Sequence, residues 1–387
     1  MILKSTLPEF NLDNKRVFLR ADLNVPLDNG KVLDDFKLKS ILPTIDLILQ
    51  KHGKIILATH IGRPTQYDEK LSTKSLINWF INKGYKIEFE GDLERAYEKS
   101  LKNSDTILLL ENLRFWKGEQ QPDQTFSHQL ANLSDYYVND AFGTLHREDT
   151  SITLLPKLFD KKHKTVGLLV EKELHALQKL KNPERPFMLI LGGAKIKDKL
   201  EMLAHLLNTL NIVALCPAIV FTFLKAHNIN IGKSLAQDEL LKFTQEIENE
   251  AQEKNVKLIY PEDYLVAKEN IKSPLVTIDA DKFTGEDIGI SIGPKTAEIF
   301  VNEIKKAKTI FFNGLPGFIE RKETLSNINK IFDAITQSKA YCVIGGSDSV
   351  AAAIILGYEN KISHLSTGGG AVLYFLNNQE LPGLKYL

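Results

Sequence analysis

The sequence predicts an α/β protein made of two doubly wound parallel-sheet domains. Three observations support this fold class. The chain has 387 residues, more than one ordinary domain holds. Short apolar runs of strand length alternate along it with amphipathic runs of helical period. Polar and glycine-rich segments follow the apolar runs, and this is where parallel sheets covered by helices place their ligands.

The individual elements follow from this alternation. The predicted strands are Arg16–Arg20, Lys54–Thr59, Thr106–Leu110, Tyr136–Asn139, Phe187–Leu191, Asn211–Leu215, Lys257–Tyr260, Thr309–Phe312 and Ala340–Ile344. The predicted helices are Lys37–Gln50, Thr73–Lys83, Lys197–Leu210, Asp238–Lys254 and Lys295–Lys306. A further helix, Val170–Lys181, ends before Asn182-Pro183, and we expect the domain boundary there.

Composition and charge exclude several classes of protein. Hydrophobic residues make up 43% and charged residues 25%, the usual balance for a soluble globular protein. The formal net charge is zero, so no global field favours nucleic acid or an anionic membrane. The two cysteines, Cys216 and Cys342, fit neither a disulfide framework nor a zinc pattern. With no expected signal peptide and no apolar run of about 20 residues, we expect a cytoplasmic protein.

The first half carries cationic side chains at successive strand or loop ends, and these favour a small anionic ligand. Arginine there suits a doubly anionic group because its planar fork contacts carboxylate or phosphate through two bonds. For any single residue, a solvated surface position or a structural ion pair explains the charge equally well. The set consists of Arg20, Lys37, His60, Arg63, Arg114 and Arg147.

The second half carries glycine-rich turns that open helices. Gly192-Gly193 precede a predicted helix with Lys195 and Lys199, which lie four residues apart and so on one helix face. Further turns lie at Gly345-Gly346 and Thr367–Gly370. Backbone N–H groups and a helix N-terminus hold phosphate oxygens well. Each turn alone is explained by an ordinary helix cap, but the three together with the lysines suggest the phosphates of a nucleotide.

These motifs run in the order found in one known family. The matching segments are Arg16–Pro26, His60–Pro64, Leu110–Arg114, Asn139–Arg147, Leu191–Lys199, Phe221–Ala226, Asn313-Gly314, Glu320, Asp348 and Ser366–Ala371. From end to end the chain resembles phosphoglycerate kinases. The resemblance implies phosphoryl transfer between 1,3-bisphosphoglycerate with ADP and 3-phosphoglycerate with ATP, in glycolysis.

The resemblance also implies domain limits and site residues. It implies a hinge-linked monomer whose domains face a cleft: residues 1–170 with about 372–387 bind 3-phosphoglycerate, and residues 171–371 bind the nucleotide. The implied acid-binding residues are Asp22, Leu23, Asn24, Lys37, His60, Ile61, Gly62, Arg63, Arg114 and Arg147. The implied nucleotide-binding residues are Lys195, Lys199, Asn313, Glu320, Gly346, Ser347, Asp348 and Ser349. Lys37, Lys199 and Gly346 are the implied catalytic groups, and Asp348 the implied ligand of the Mg²⁺ that accompanies ATP or ADP.

The chain departs from the family pattern mainly in its second half. Lys37 stands where the family has an arginine, and Asp149 replaces the second histidine of a His-Arg-x-His motif. Three glycines of the adenine pocket are replaced by Cys216-Pro217-Ala218. Leu315 replaces a proline, Ser291 an aspartate, and Ser347 a glycine. Ser349 replaces a threonine.

Two other functions remain compatible with these departures. One is a catalytically weak relative that binds 3-phosphoglycerate but has an impaired nucleotide site. The other is a generic α/β ligand-binding protein, which the order of the motifs disfavours. Retention of Lys195, Lys199, Glu320 and Asp348 favours an enzyme.

Overall fold

The structure is a computed structural model that describes residues 6–102, 105–377 and 379–387. The chain divides into two compact units. The first unit comprises Met1–His175 together with Glu380–Leu387, and the second comprises Ala176–Gln379. Within the described ranges, no helix is long and apolar enough to cross a bilayer.

The first unit is a parallel sheet covered by helices. Its strands are β1 (Arg16–Ala21), β2 (Leu27–Asp28), β3 (Lys31–Val32), β4 (Lys54–Ala58), β5 (Ile87–Glu90), β6 (Ile107–Leu110), β7 (Tyr136–Asp140) and β8 (Lys164–Val166). Its helices are α1 (Phe36–Gln50), α2 (Ile77–Asn82), α3 (Leu93–Ser100), α4 (Lys117–Gln120), α5 (Gln124–Ala131), α6 (Thr150–Thr153) and α7 (Leu168–Lys181), which continues into the second unit. The sheet order is β5-β6-β4-β1-β7-β8, and β2 and β3 form a short hairpin.

Burial on both faces explains why β1 reads as a nearly continuous apolar run. Val17 and Leu19 belong to one core cluster, whereas Phe18 belongs to the cluster on the other face. A central parallel strand is covered on both sides, so it does not alternate between apolar and polar residues. In α1, Ile41, Ile45 and Ile48 are buried at helical spacing, which packs this helix on the sheet.

The C-terminal segment completes the first unit. The N–H of Gly383 donates to the carbonyl of Leu145 (2.9 Å), and Leu381 and Leu384 are buried. A Cβ on Gly383 would lie 2.7 Å from Leu145 and 2.8 Å from Ile152, so a larger residue would require these side chains to shift. The last residues are therefore part of this unit's core.

The second unit has the same architecture with one addition. Its strands are β9 (Phe187–Leu191), β10 (Ile212–Leu215), β11 (Lys257–Ile259), β12 (Asp263–Lys268), β13 (Leu275–Asp279), β14 (Asp287–Ile292), β15 (Thr309–Asn313), β16 (Tyr341–Gly345) and β17 (His364–Leu365). Its helices are α8 (Ile196–Leu206), α9 (Ile219–Ala226), α10 (Leu241–Glu253), α11 (Pro294–Ile304), α12 (Lys322–Gln337), α13 (Ser347–Ile355) and α14 (Gly369–Leu376). The parallel sheet has the order β11-β10-β9-β15-β16-β17, and the added antiparallel sheet has the order β13-β12-β14.

The predicted fold class is confirmed, with shifts of a few residues at element ends. The predicted strand Asn211–Leu215 corresponds to β10. The antiparallel sheet was not predicted, and neither were β5, β8 and β17. The residues of β13 are mostly exposed, so this strand lacks the apolar run on which the prediction depended.

Candidate functional site

The first group of predicted site residues follows three adjacent strands of the first unit. In the register of the sheet, Arg20 of β1 is opposite Ala58 of β4, and Ala21 is opposite Asp140 of β7. The three strands therefore end at the same edge. The segments that begin at Asp22 and at His60, and the segment that ends at Arg147, follow these strands. These segments lie at the carboxyl edge of the sheet, as predicted.

Lys37 and Asp22 form an ion pair at this edge. Lys37 lies in the first turn of α1, and its Nζ donates to Asp22 Oδ2 at 2.7 Å. The side chain of Lys37 is 26% exposed, whereas that of Asp22 is 4% exposed. Burial raises the pKa of Asp22, but the charge and hydrogen bond of Lys37 outweigh it and lower the pKa to about 2. The ammonium is thus anchored by a carboxylate while its outer side remains accessible.

Hydrogen bonds fix the loops on either side of this pair. The N–H of Leu23 donates to Thr59 Oγ1 (2.9 Å), and that of Gly62 donates to Asn24 Oδ1 (2.9 Å). Gly62 has φ +66°, a conformation in which a side chain would be strained, and a Cβ there would lie 3.0 Å from Leu71. Sequence reasoning did not single out Thr59, because nothing in the sequence marks its bond to Leu23.

The arginines of this edge differ in exposure. Arg63 is exposed and Arg147 is half-buried, with its N–H donating to the carbonyl of Thr144 (2.9 Å). Arg114 is buried, and it donates to the carbonyl of Gly62 (2.7 Å) and to Asp149 Oδ2 (3.3 Å). Exposure leaves Arg63 and Arg147 as the guanidinium groups that a solvent-borne anion can reach directly.

Two other members of the predicted cationic set are buried. Arg20 is fully buried, donates to Ser151 Oγ (2.8 Å) and lies 3.7 Å from Glu119 Oε1. It is therefore a structural ion pair beneath the edge rather than an exposed cation. His60 lies beside it, 3.5 Å from Arg20 Nη2. Burial lowers the pKa of His60 well below its usual value, so this imidazole is neutral at neutral pH.

In the second unit, Lys199 lies among glycine-rich turns. Its Nζ donates to the carbonyls of Gly192 and of Asn313, the latter at 3.2 Å. Burial lowers its pKa to about 8. Gly314 has φ +111°, and a Cβ there would clash with the backbone carbonyl of Gly192, so glycine is required beside this amine. The predicted common helix face with Lys195 is not observed, because Lys195 is exposed at the N-cap of α8 while Lys199 is buried.

The turn before α13 is a second glycine-containing turn that opens a helix. Gly346, with φ +92°, is the N-cap of this helix, and Ser349 Oγ accepts from the N–H of Gly314 (2.9 Å). Ser347 and Asp348 are exposed in the first helical turn, where Ser347 Oγ donates to Asp348 Oδ1 (3.2 Å). The exposed Glu320 lies further along the segment that follows Asn313. The predicted nucleotide residues thus follow β9, β15 and β16, which are neighbours in the sheet.

The unusual segment after β10 is tightly packed. Cys216 is fully buried, and a Cβ on Gly192 would lie 2.8 Å from Cys216 Cβ. Pro217 is buried as well, whereas Ala218 is half-buried with φ +69° and ψ −56°. This conformation is strained for a residue with a Cβ and is typical of glycine. Alanine therefore occupies a glycine conformation here.

The chain has two parallel-sheet α/β units. One carries cations and the other carries glycine-rich turns at the carboxyl edge of its sheet. These features are typical of α/β proteins that bind phosphorylated ligands. The phosphoglycerate kinase family model matches residues 7–379. The chain belongs to the phosphoglycerate kinase family.

Individual relatives match over nearly the whole chain. The phosphoglycerate kinase of Dictyoglomus turgidum is 40% identical over 390 residues, covering 98% of this chain and 97% of the relative. That of Finegoldia magna is 39% identical with 98% of each chain covered. Among solved structures, phosphoglycerate kinase from Coxiella burnetii has a TM-score of 0.85 at 31% identity and covers 99% of this chain and 98% of its own. These matches confirm the resemblance inferred from the motifs.

Proposed function

We propose that this protein is an active phosphoglycerate kinase that transfers a phosphoryl group between 1,3-bisphosphoglycerate with ADP and 3-phosphoglycerate with ATP. The observation that carries this proposal is the presence, in a chain of this family, of a cationic edge on one sheet and of glycine-rich turns around Lys199 on the other. The alternative of a weak relative that only binds the acid is not favoured, since full-length relatives are named as the kinase.

The acid site occupies the carboxyl edge of the first unit. The exposed Arg63 and half-buried Arg147 hold the phosphate of 3-phosphoglycerate, because guanidinium groups form paired bonds with phosphate oxygens. Asn24 and the anchored Lys37 face the carboxylate end. The neutral His60 contributes a hydrogen bond rather than a charge. Asp22, Leu23, Ile61 and Gly62 shape the loops, and the role of Arg114 is considered below.

The nucleotide site occupies the carboxyl edge of the second unit. Lys195 and Lys199 contact phosphates, and Asn313 and Ser349 fix the neighbouring turn. Gly346 to Asp348 place the N-terminus of α13 toward the phosphates. Glu320 binds the ribose.

A magnesium ion fits this site through Asp348. Magnesium is usually held by one or two carboxylates, with phosphate oxygens and water completing its octahedral shell. Asp348 offers one exposed carboxylate, and no cluster of three or more acidic, histidine or cysteine ligands occurs in the described part of the chain. This donor set suits an ion that arrives with ATP or ADP. When bound, the ion neutralises negative charge on the phosphate oxygens.

The protein residues act by orientation and charge stabilisation. A carboxylate oxygen of 3-phosphoglycerate forms the bond to the γ-phosphorus while the bond to the β-phosphate oxygen breaks, and ADP leaves with that electron pair. Lys37 offers positive charge on the acid side, and Lys199 and the N–H groups after Gly346 offer it on the nucleotide side. Transfer requires the acid and the nucleotide to come within bonding distance, so we propose closure about α7.

The test is a coupled kinase assay with 3-phosphoglycerate and magnesium ATP. We expect turnover that depends on both substrates and on the divalent ion. An Arg63→Ala variant and a Lys242→Ala variant, which removes an exposed lysine of α10, form a matched pair. The first should raise the KM for the acid, and the second should change nothing. Binding of 3-phosphoglycerate without turnover would instead identify the weak relative.

The remaining proposals concern the cellular location, the domain limits and the oligomeric state of the protein. We propose a cytoplasmic protein, which two buried cysteines without a disulfide support. The domain limits of 1–170 with about 372–387 and of 171–371 stay a proposal, and the two compact units support it. The monomeric state is a prediction that light scattering after gel filtration tests.

A further inference from the structure

Arg114 is oriented by two protein groups and shielded from solvent. Its side chain is 1% exposed, and that of Asp149 is 8% exposed. One guanidinium nitrogen donates to the carbonyl of Gly62 (2.7 Å) and another to Asp149 Oδ2 (3.3 Å). Its Nε is buried and has no hydrogen-bond partner within the described residues. Arg114 therefore has an unused donor beneath the acid site.

Asp149 is the counter-charge that makes this burial tolerable. Burial lowers the pKa of Arg114, Asp149 raises it, and the nearby Arg147 and Arg20 lower it again. A guanidinium buried among other cations is costly unless a carboxylate compensates its charge. An anionic substrate and Asp149 would thus compete for the same guanidinium.

We propose that Asp149 withholds Arg114 from the phosphate of the substrate, so that Arg63 and Arg147 alone bind it. Asp149 thereby sets the affinity for the acid without touching it and is a positioning residue. This inference rests on the proposed function, because it assumes that 3-phosphoglycerate binds at this edge. It concerns affinity for the phosphorylated acid, not the chemistry of transfer.

The decisive variant is Asp149→Asn, which keeps the shape of the side chain and removes its charge. Arg114 would then lack a counter-charge in the free protein and gain one from the bound acid. We expect a lower melting temperature without ligand, a larger rise on adding 3-phosphoglycerate, and a dissociation constant about tenfold smaller by calorimetry, since charge-assisted bonds are the strong ones. In the kinase assay, the KM for the acid should fall and kcat should stay unchanged.

A matched control separates this effect from the loss of any Arg–Asp pair. Arg16 and Asp135 form such a pair elsewhere in the same unit, with 2.7 Å between Arg16 Nη2 and Asp135 Oδ1. Asp135→Asn should lower the melting temperature and leave the dissociation constant unchanged.

A charge-neutral double variant keeps the test decisive if the single variant does not fold. Arg114→Gln with Asp149→Asn removes both charges, so no uncompensated cation is buried. If Arg114 is withheld in the wild type, this protein binds 3-phosphoglycerate within about twofold of wild type, as expected when no contact is lost.

Three results would count against the proposal. An Asp149→Asn protein that folds and binds the acid no tighter than wild type overturns it, and so does a tenfold loss of affinity in the double variant. In both cases the wild type still binds, so the proposed function survives. Absence of binding in every protein, wild type included, overturns the acid site and this inference together.

Discussion

The two units neutralise their cations in opposite ways. In the first unit, Lys37 pairs with Asp22 and Arg114 pairs with Asp149, so carboxylates hold the charged groups in place. In the second unit, Lys199 rests on the carbonyls of Gly192 and Asn313, so backbone dipoles hold the charge. The two carbonyls do not offset the cost of burial, which lowers the pKa of Lys199 to about 8.

This difference predicts different behaviour for the two ligands. We propose that guanidinium groups of the first unit bind the acid, and arginine stays protonated over the whole working pH range. The nucleotide site proposed for the second unit includes Lys199, an amine whose pKa is lowered to about 8 by burial. The comparison is tested by substituting a residue in one unit and measuring the binding of both ligands.

The largest effect is expected at Lys199. Lys199→Met keeps the length of the side chain and removes its charge, so kcat/KM for magnesium ATP should fall by about 10²–10³-fold, the scale for losing one group that stabilises the transition state. Calorimetry should show unchanged affinity for 3-phosphoglycerate. A parallel loss of acid affinity would show that the two sites are not independent.

The next effect is expected at Arg63, an exposed guanidinium at the carboxyl edge of the first unit's sheet. Arg63→Ala should weaken 3-phosphoglycerate binding by about 1.5–3 kcal/mol, the range for hydrogen bonds to charged groups. Titration of magnesium ADP into the same protein serves as the control and should match wild type. Unchanged acid affinity would remove Arg63 from the proposed site.

A smaller, graded effect is expected from pH. Lys199 carries its charge below a pKa of about 8 and loses it above. Since phosphates bind the protonated form, affinity for magnesium ADP should be flat below pH 8 and fall about tenfold per pH unit above it. Lys199→Arg should keep the curve flat, because arginine stays protonated. If the affinity of the wild type for magnesium ADP is also independent of pH up to pH 10, the amine of Lys199 is not the group that titrates.

The smallest effect is expected at Ala218, whose φ is +69°. Ala218→Gly relieves the strain, and we expect a gain of about 1 kcal/mol in the free energy of unfolding, less the entropy cost of glycine. Denaturant unfolding measures it. Ala214→Gly, in the neighbouring strand β10, should instead destabilise the protein. A loss of stability on Ala218→Gly would mean that contacts of the methyl group outweigh the strain.

The sequence predicted the central strands well because they are buried on both faces and therefore stand out as apolar runs. It did not predict β13, whose residues are mostly exposed. It placed Arg20 and Arg114 with the other cations because charge is visible in a sequence. It could not show that Glu119 and Asp149 compensate them, since these partners are distant in the chain and are found only by folding.

The contribution of Leu381 and Leu384 to the first unit affects the order in which the chain completes its folding. A ribosome delivers the chain from its N-terminus, so residues 1–175 emerge first. Their core still lacks the segment that contacts Leu145, because Gly383 is made only after the whole of the second unit. The second unit is contiguous and can close before the first. The second unit can therefore complete its fold first, and the nascent chain leaves apolar surface of the first unit exposed until residues 380–387 have been made.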